Sequence, residues 1–123
     1  MPTCILIVDD RANVRKIIRN YLENESGFEV CGEAVNGYDA IQKAKELNPD
    51  LIILDLSMPQ MNGIEAARVL KKILPQTPIV MLTSHDPSTL GYDTRAAGID
   101  AVIAKDGDMS LLVASLQSLL QEA

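Results

Sequence analysis

The sequence is short of the residue types that mark secreted, membrane or nucleic-acid-binding proteins. It has no tryptophan, one histidine, two cysteines, and 11 lysine and arginine residues against 17 acidic ones. The formal net charge of -6 disfavours direct contact with nucleic acid, because such contact depends on basic side chains that displace counterions from phosphates. The apolar runs are far shorter than the roughly 20 residues that cross a bilayer, and no signal peptide precedes them. We therefore expect a cytoplasmic protein that binds neither membrane nor nucleic acid directly.

The two cysteines, Cys4 and Cys31, lie in apolar surroundings on predicted strands. Free cysteine is among the most frequently buried residue types, and disulfides are rare in the cytoplasm. We therefore predict that both cysteines are reduced core residues. With 123 residues, of which 47% are hydrophobic, the chain can bury a core of its own. We expect one domain that covers residues 1–123.

Short apolar runs alternate with segments of helical period along the whole chain. The runs predict strands at 4–8, 29–34, 51–54, 79–82 and 101–104, and the helical spacing predicts helices at 14–22, 38–47, 63–74 and 109–121. A weaker helix is predicted over 87–97, where Gly91 is unfavourable. This alternation predicts an α/β fold with a parallel sheet between two helix layers. The flavodoxin-like strand order 2-1-3-4-5 is one of two common arrangements, and we predict a (βα)5 three-layer sandwich of that order.

Polar side chains follow the predicted strands at the end where open parallel sheets place their binding sites. The first strand ends in Asp9 and Asp10, the third in Asp55, the fourth in Thr83 and the fifth in Lys105. Each has an ordinary structural explanation by itself: a helix cap, a strand residue, or a lysine that extends to solvent. In the order 2-1-3-4-5, however, Asp10 and Asp55 are neighbours, and Lys105 lies roughly 10 Å from Asp55, within reach of its long side chain. The five residues together predict one site.

The acidic residues of this site need a compensating charge. Two carboxylates about 5 Å apart repel by roughly 3 kcal/mol at an effective dielectric constant near 20. Oxygen ligands favour magnesium, with manganese as an alternative, over zinc. We expect Asp9, Asp10, Asp55 and the backbone carbonyl of Ser57 to hold this cation. Beside the cation and Lys105, Asp55 is the best-placed nucleophile toward phosphorus and would form an acyl phosphate.

Two other kinds of protein would use a similar fold or nucleophile. A nucleotide or flavin carrier would have a hydroxyl- or glycine-rich loop after the first strand to receive a phosphate, where this chain has DDRAN. A metal-dependent phosphatase would place a further acidic group near its aspartate as general acid, and Ser57 cannot serve in that way. The sequence favours a phosphoacceptor over both.

Four segments carry a resemblance to a known family, namely ILIVDD, ILDLSMPQMNG, PIVMLTS and AVIAK. With them the chain resembles the receiver domain of two-component response regulators over essentially its whole length. The resemblance implies that Asp55 is the phosphorylated aspartate, that Asp9 and Asp10 hold magnesium, and that Thr83 and Lys105 contact the phosphoryl group. It implies a sensor histidine kinase or a histidine phosphotransfer protein as phosphodonor. Such a domain assists its own phosphorylation and dephosphorylation and is not an enzyme with an external substrate.

The sequence departs from the family pattern at three places. Val102 stands where the family usually has a tyrosine or phenylalanine that moves with the threonine. Tyr92 is the nearest aromatic that could substitute, although an ordinary surface tyrosine is the simpler interpretation. Asp106 replaces a common proline after the lysine, so no cis peptide is expected there. Ser57 and His85 occupy loop positions that tune hydrolysis in the family, with a solvated loop histidine as an equal alternative.

The departure at Val102 keeps a second function open. The chain would then be a receiver-like module that keeps the fold and binds a protein partner but receives no phosphate.

The last helix is expected to contribute an interface. From 111 to 123 the only charge is Glu122, whereas a surface helix normally carries more charge on its outer side. Leu111 and Val113 are surplus to the apolar face, which consists of Leu112, Leu116, Leu119 and Leu120. We predict that this helix meets a second copy of the chain or an output domain.

The helix that starts at Arg11 is the expected docking surface for the phosphodonor, by resemblance to the family. Its basic residues Arg15, Lys16 and Arg19 lie outside the apolar stripe that runs from Val14 to Leu22.

Overall fold

The computed structural model of the chain describes residues 2–25, 27–58, 60–84, 91–105 and 109–121. Strands and helices alternate as β1 (Thr3–Val8), α1 (Ala12–Glu23), β2 (Phe28–Ala34), α2 (Gly37–Leu47), β3 (Leu51–Asp55), α3 (Gly63–Ile73), β4 (Ile79–Thr83), α4 (Gly91–Ala96), β5 (Ala101–Ala104) and α5 (Met109–Gln121). Among the described residues, no helix combines the length and the apolar character that crossing a membrane requires.

The five strands form one parallel sheet in the order β2-β1-β3-β4-β5. The predicted flavodoxin-like α/β fold is confirmed. The register pairs Val8 with Leu54, Asp55 with Leu82, and Thr83 with Ala104. The strand ends that carry the predicted site residues therefore lie side by side at the carboxyl end of the sheet.

Side chains of the central strands alternate between two apolar cores, one on each face of the sheet. Ile5 and Ile7 of β1 share a core with residues of α1 and α5, whereas Leu6 and Val8 share the other with residues of α2 and α3. All four are fully buried or nearly so. Because a buried side chain of this size contributes roughly 1.5–3 kcal/mol, the central strands are fixed in place. The backbone of the polar residues at the ends of these strands is therefore also held in a fixed position.

The start of α3 is defined by local chemistry. The Asn62 side chain accepts a hydrogen bond from the Glu65 amide, and the Glu65 side chain accepts one from the Asn62 amide, which forms a capping box. Gly63 follows, and a Cβ at that position would lie 2.4 Å from the carbonyl oxygen of Asp55. The Gly63 amide donates to the Leu56 carbonyl at 2.8 Å. Gly63 thus lies directly against the end of β3, where a side chain would not fit.

Several details of the helices differ from the sequence prediction. Ile17 is 55% exposed because it lies at the margin of the α1 stripe, whereas Ile18 and Leu22 face the core. In α5, Leu111 is 59% exposed as expected, but Val113 belongs to the core and is not surplus. The weak helix predicted over 87–97 is described only from 91 to 96, since 85–90 lie outside the described residues.

The prediction of reduced cysteines is wrong for this structure, because Cys4 and Cys31 form a disulfide with their Cα atoms 5.4 Å apart. β2 has one residue more than β1 where the two pair: Ile5 faces Val30 and Leu6 faces Gly32. Cys31 is the extra residue of this β-bulge. The bulge turns the Cys31 side chain toward Cys4 on the neighbouring strand, which simple strand alternation does not reveal.

Candidate functional site

Four of the predicted site residues lie at adjacent positions at the carboxyl end of the sheet. Asp9 directly follows β1, Asp55 and Thr83 are the last residues of β3 and β4, and Lys105 directly follows β5. Asp9, Asp55 and Thr83 are 1%, 3% and 1% exposed. Burial of polar side chains on this scale is costly without compensating contacts. The charged residues Asp9 and Asp55 therefore depend on compensating contacts with their neighbours.

The three carboxylates form one cluster. Asp9, Asp10 and Asp55 each offer an oxygen atom, and these atoms lie within 4.8 Å of one another. Asp10 is exposed, whereas the other two are buried. The structure thus brings together the acidic residues that the sequence predicted as neighbours, with Asp10 on the solvent side.

Lys105 reaches across the sheet to both buried carboxylates. Its Nζ lies 2.9 Å from Asp9 Oδ2 and 3.1 Å from Asp55 Oδ1. Its backbone amide donates to the Thr83 carbonyl at 2.7 Å, which fixes the start of its side chain. The long stem spans the distance that the sequence prediction required.

The donor set fits a divalent cation. One ammonium group faces three carboxylates, so the cluster retains two uncompensated negative charges when all of them are ionised. Asp9 Oδ2 is buried and has Lys105 at ion-pair distance, but no described donor meets it with good hydrogen-bond geometry. Carboxylate oxygens without sulfur or imidazole are the ligands that magnesium and manganese prefer. The residues present can therefore hold such an ion.

The environment shifts the ionisation of this site. Burial, followed by the nearby negative charge of Asp9, raises the pKa of the Asp55 carboxyl above its ordinary value, although Lys105 and the Ser57 amide oppose this. Burial alone would lower the pKa of the Lys105 ammonium, but its contacts with Asp9 and Asp55 raise it overall. The amine therefore stays charged, while the surroundings of Asp55 disfavour the ionised form of its carboxyl group.

Three hydrogen bonds hold the backbone and one carboxylate oxygen of Asp9. Its amide donates to the Ala34 carbonyl at 3.1 Å, and its Oδ1 accepts from the Arg11 amide at 2.9 Å. Its backbone carbonyl accepts from Arg15 Nη1 at 2.7 Å. The sequence did not predict that Arg15 takes part in the surroundings of the site. The polar residue Glu33 near the end of β2, which anchors Arg15, was the only available signal.

The other predicted site residues have mixed outcomes. The Ser57 amide lies close enough to the Asp55 carboxylate to lower its pKa, but the role of the Ser57 carbonyl as a metal ligand stays a prediction. Val102 is partly buried, pairs with Met81 and packs against the core on the α2 and α3 face. His85, Asp106 and the side chain of Tyr92 lie outside the described residues.

Comparison with known proteins identifies this arrangement. A family model described as "Response regulator receiver domain" matches residues 5–117. The chain belongs to the response regulator receiver domain family. It is a receiver domain of the kind that response regulators of two-component systems contain.

Individual relatives agree with this assignment. Response regulator protein VraR of Staphylococcus saprophyticus is 46% identical over 105 residues, which are 85% of this chain and 50% of that protein. A two-component response regulator of the LuxR family from Aurantimonas has a TM-score of 0.94 at 29% identity, over 99% of this chain and 87% of that one. The CheX-CheY-BeF3-Mg+2 complex from Borrelia burgdorferi contains a chain with a TM-score of 0.88 at 25% identity, over 98% of this chain and 90% of that one. The chain spans about half the length of the curated relatives it matches.

Proposed function

We propose that residues 1–123 form one receiver domain whose phosphoacceptor is Asp55. The observation that carries this assignment is the contact of Lys105 Nζ with both buried carboxylates, at 2.9 Å from Asp9 and 3.1 Å from Asp55. An ammonium group and an acidic pair beside one carboxylate are the arrangement that a phosphoryl group needs when it is transferred to that carboxylate.

Asp55 is the nucleophile in the proposed step. One of its carboxylate oxygens forms a bond to phosphorus while the bond from phosphorus to the donor breaks, and the donor group leaves with the electron pair. The product is an acyl phosphate. Lys105 and Thr83 contact the transferred oxygens, so that the negative charge on them is compensated as the new bond forms. The same groups hold the phosphoryl group until water removes it.

Asp9, Asp10 and Asp55, with the Ser57 carbonyl, would hold Mg²⁺, or Mn²⁺ in its place. The ion supplies charge neutralisation of the phosphoryl oxygens when it is bound. Support comes from the carboxylate oxygens within 4.8 Å of one another and from the buried Asp9 Oδ2. The solved relative from Borrelia burgdorferi is a CheX-CheY-BeF3-Mg+2 complex.

The phosphodonor in this proposal is a phosphohistidine on a sensor kinase or a phosphotransfer protein in the cytoplasm. The domain assists its own phosphorylation and dephosphorylation and turns over no external substrate. The partner that reads the phosphorylated state, whether an output domain or a second copy, meets the α5 face, where Leu111 is exposed beside Val102 in a shallow cavity of about 440 Å³. Val102 is smaller than the aromatic residue that the family usually has at this position. The conformational change that follows phosphorylation would therefore depend on repacking of the side chains around Val102.

The test uses a small phosphodonor, so that no kinase is needed. The protein is incubated with Mg²⁺ and acetyl phosphate or phosphoramidate, and its intact mass is followed. We expect one phosphoryl adduct that depends on Mg²⁺ and is absent from Asp55→Asn. Reduction of the adduct with borohydride converts an aspartyl phosphate to homoserine, and peptide mapping should find this residue at position 55.

A matched control is Glu29→Gln, which removes one exposed carboxylate on β2 and leaves the site intact. This variant should form the adduct as the wild type does. A wild-type protein that binds its partners but forms no adduct with either donor would support the non-phosphorylated binding module instead. An adduct that persists in Asp55→Asn would contradict the assignment of the acceptor.

A further inference from the structure

Arg15 lies beside the acidic site and contacts its backbone. Its Nη1 donates to the carbonyl oxygen of Asp9 at 2.7 Å, and its Nε donates to Glu33 Oε1 at 2.9 Å. The Arg15 side chain is only 14% exposed. Arg15 is therefore turned toward the sheet and adds little to the exposed face of α1, whose role as the docking surface for the phosphodonor stays a prediction.

We propose that Arg15 is a positioning residue that fixes the peptide between Asp9 and Asp10 and so sets this acidic pair for the divalent cation, with Glu33 as its anchor. The inference rests on the proposed function, which supplies the cation.

The carbonyl that Arg15 holds belongs to the peptide that joins Asp9 to Asp10. A rotation of this peptide would move the exposed Asp10 carboxylate, which is one of the three in the cluster. The other contacts of Asp9 involve its amide and its carboxylate, so they leave that carbonyl free to turn. Arg11, the N-cap residue of α1, makes no side-chain capping bond. The guanidinium of Arg15 therefore supplies a restraint that no other described residue provides at this junction.

Glu33 fixes the Arg15 side chain relative to the sheet. It lies on β2 opposite Ile7, and its Oε2 accepts from Arg19 Nε at 2.7 Å, while Oε1 accepts from Arg15. Burial alone would raise the pKa of Glu33, but the hydrogen bonds from Arg19 and Arg15 outweigh it and lower the pKa. The anchor is therefore ionised at neutral pH. Arg19 shares the anchor with Arg15, but its described contacts are with Glu33 and Glu23.

If Arg15 positions the acidic pair, its loss should weaken metal binding, whereas simple electrostatics predicts that its loss strengthens metal binding. Removal of a positive charge near a cation site should strengthen metal binding if only charge matters. Removal of a positioning residue should weaken metal binding, since loss of a group that orients metal ligands typically costs about tenfold or more in affinity. The direction of the change therefore decides between the two explanations.

The experiment compares Arg15→Met with Arg19→Met in the whole chain. Both variants remove one guanidinium from the same Glu33 carboxylate, but only the first loses the contact with the Asp9 carbonyl. Mn²⁺ is titrated into metal-free protein, and its affinity is measured from the electron paramagnetic resonance signal of the ion that remains free. We expect the Mn²⁺ dissociation constant of Arg15→Met to rise about tenfold, and that of Arg19→Met to stay at the wild-type value or fall slightly.

Phosphorylation by acetyl phosphate gives a second readout. In Arg15→Met the Mg²⁺ concentration for half-maximal rate should rise about tenfold, in line with the metal affinity, while the rate at saturating Mg²⁺ stays close to that of the wild type. Arg15→Lys should give an intermediate affinity, because an amine keeps the charge but lacks the fork that serves Glu33 and Asp9 together. A general loss of structure would lower the maximal rate as well.

Equal or tighter Mn²⁺ binding by Arg15→Met would overturn the proposal, and so would the same weakening in Arg19→Met. If the methionine variants fail to fold, the pair Arg15→Gln and Arg19→Gln decides by the same criteria. A wild-type protein that binds no Mn²⁺ and forms no phosphoryl adduct would instead refute the proposed function.

Discussion

The ionised form of Asp55 should destabilise the metal-free protein, and Asp55→Asn measures by how much. Asp55 Oδ1 lies 3.1 Å from Lys105 Nζ, which corresponds to about 5 kcal/mol of attraction at an effective dielectric constant of 20. An oxygen of the buried Asp9 lies within 4.8 Å, which corresponds to repulsion of about 3.5 kcal/mol or more, whereas the exposed Asp10 carboxylate is screened by solvent. These pair terms leave about 1.5 kcal/mol of net attraction, and the cost of burying the charge, several kcal/mol, exceeds it by about 2 kcal/mol.

We therefore expect Asp55→Asn to be more stable than the wild type by about 2 kcal/mol at pH 7 without metal. This corresponds to a rise of about 8 °C in Tm for a chain of this size. Urea and thermal unfolding in EDTA at low salt, followed by circular dichroism, give the comparison. Addition of Mg²⁺ at about a hundred times its dissociation constant should stabilise the wild type by about 2.7 kcal/mol. It should stabilise the variant less, because one ligand is missing.

The control is again Glu29→Gln, because it removes one negative charge from a chain of net charge -6 outside the site. Its stability should stay within about 0.5 kcal/mol of the wild type. If Asp55→Asn is equally or less stable than the wild type in EDTA while the control is unchanged, the electrostatic account of this site is wrong.

Three further predictions follow from the same structure. Because burial and the charge of Asp9 raise the pKa of Asp55, the contribution of this carboxyl group to stability in EDTA is full below its ordinary pKa of 3.8 and is lost as pH rises through the folded pKa. Urea midpoints measured between acid and neutral pH should show this loss in the wild type relative to Asp55→Asn. Parallel pH curves for the two proteins would contradict the prediction. Reduction of the Cys4–Cys31 disulfide, which closes a loop of sequence separation 27, should lower the free energy of unfolding by about 3.5 kcal/mol. Thermal scans with and without a phosphine reductant test this, and the variant with both cysteines replaced by serine should not respond to the reductant. An unchanged Tm of the wild type would refute the prediction. Gly63→Ala should destabilise by about 2 kcal/mol or more, because the new methyl group would meet the backbone of Asp55 at 2.4 Å; an unaltered urea midpoint would show that the loop can yield.

The arrangement of the sheet could be predicted because its signals are local. The run Leu51 to Leu54 is buried on both faces, and glycine, proline and asparagine mark the ends of most elements. Parallel strands whose connections are right-handed have few possible orders, so the neighbours of Asp55 followed once the strands were known. The same reasoning placed Lys105 within reach of the acidic pair, and the structure places its amine between Asp9 and Asp55.

The partners of the charged residues on α1 were not predictable in this way. Arg15 and Arg19 lie outside the apolar stripe, which is typical of solvent-exposed residues. They point instead to Glu33 on β2, because β2 lies next to β1 at the edge of the sheet on the side that α1 covers. A helical period gives the direction of a side chain around its own axis, but it does not say which neighbouring strand offers a counter-charge.

The cysteine pair shows the same limit at the level of one residue. Alternation along β2 assigns each side chain to a face only while the strand pairs regularly with its neighbour. The extra residue between Val30 and Gly32 breaks that regularity and brings Cys31 to Cys4. The prediction of free thiols was based on residue burial and cellular compartment. Neither of these gives the register in which β1 and β2 pair.

The sequence by itself determined the α/β fold and the set of polar residues at the carboxyl ends of the strands, and it limited the strand order to two common arrangements, because these depend on which residues are apolar and where the chain turns. Only the tertiary structure decided that Arg15 holds the Asp9 carbonyl, that Val113 is buried while Leu111 is exposed, and that the two cysteines meet. Those features depend on distances of a few ångströms between segments far apart in the chain. Such distances are set by register, helix rotation and packing together, and no local pattern of residues encodes them.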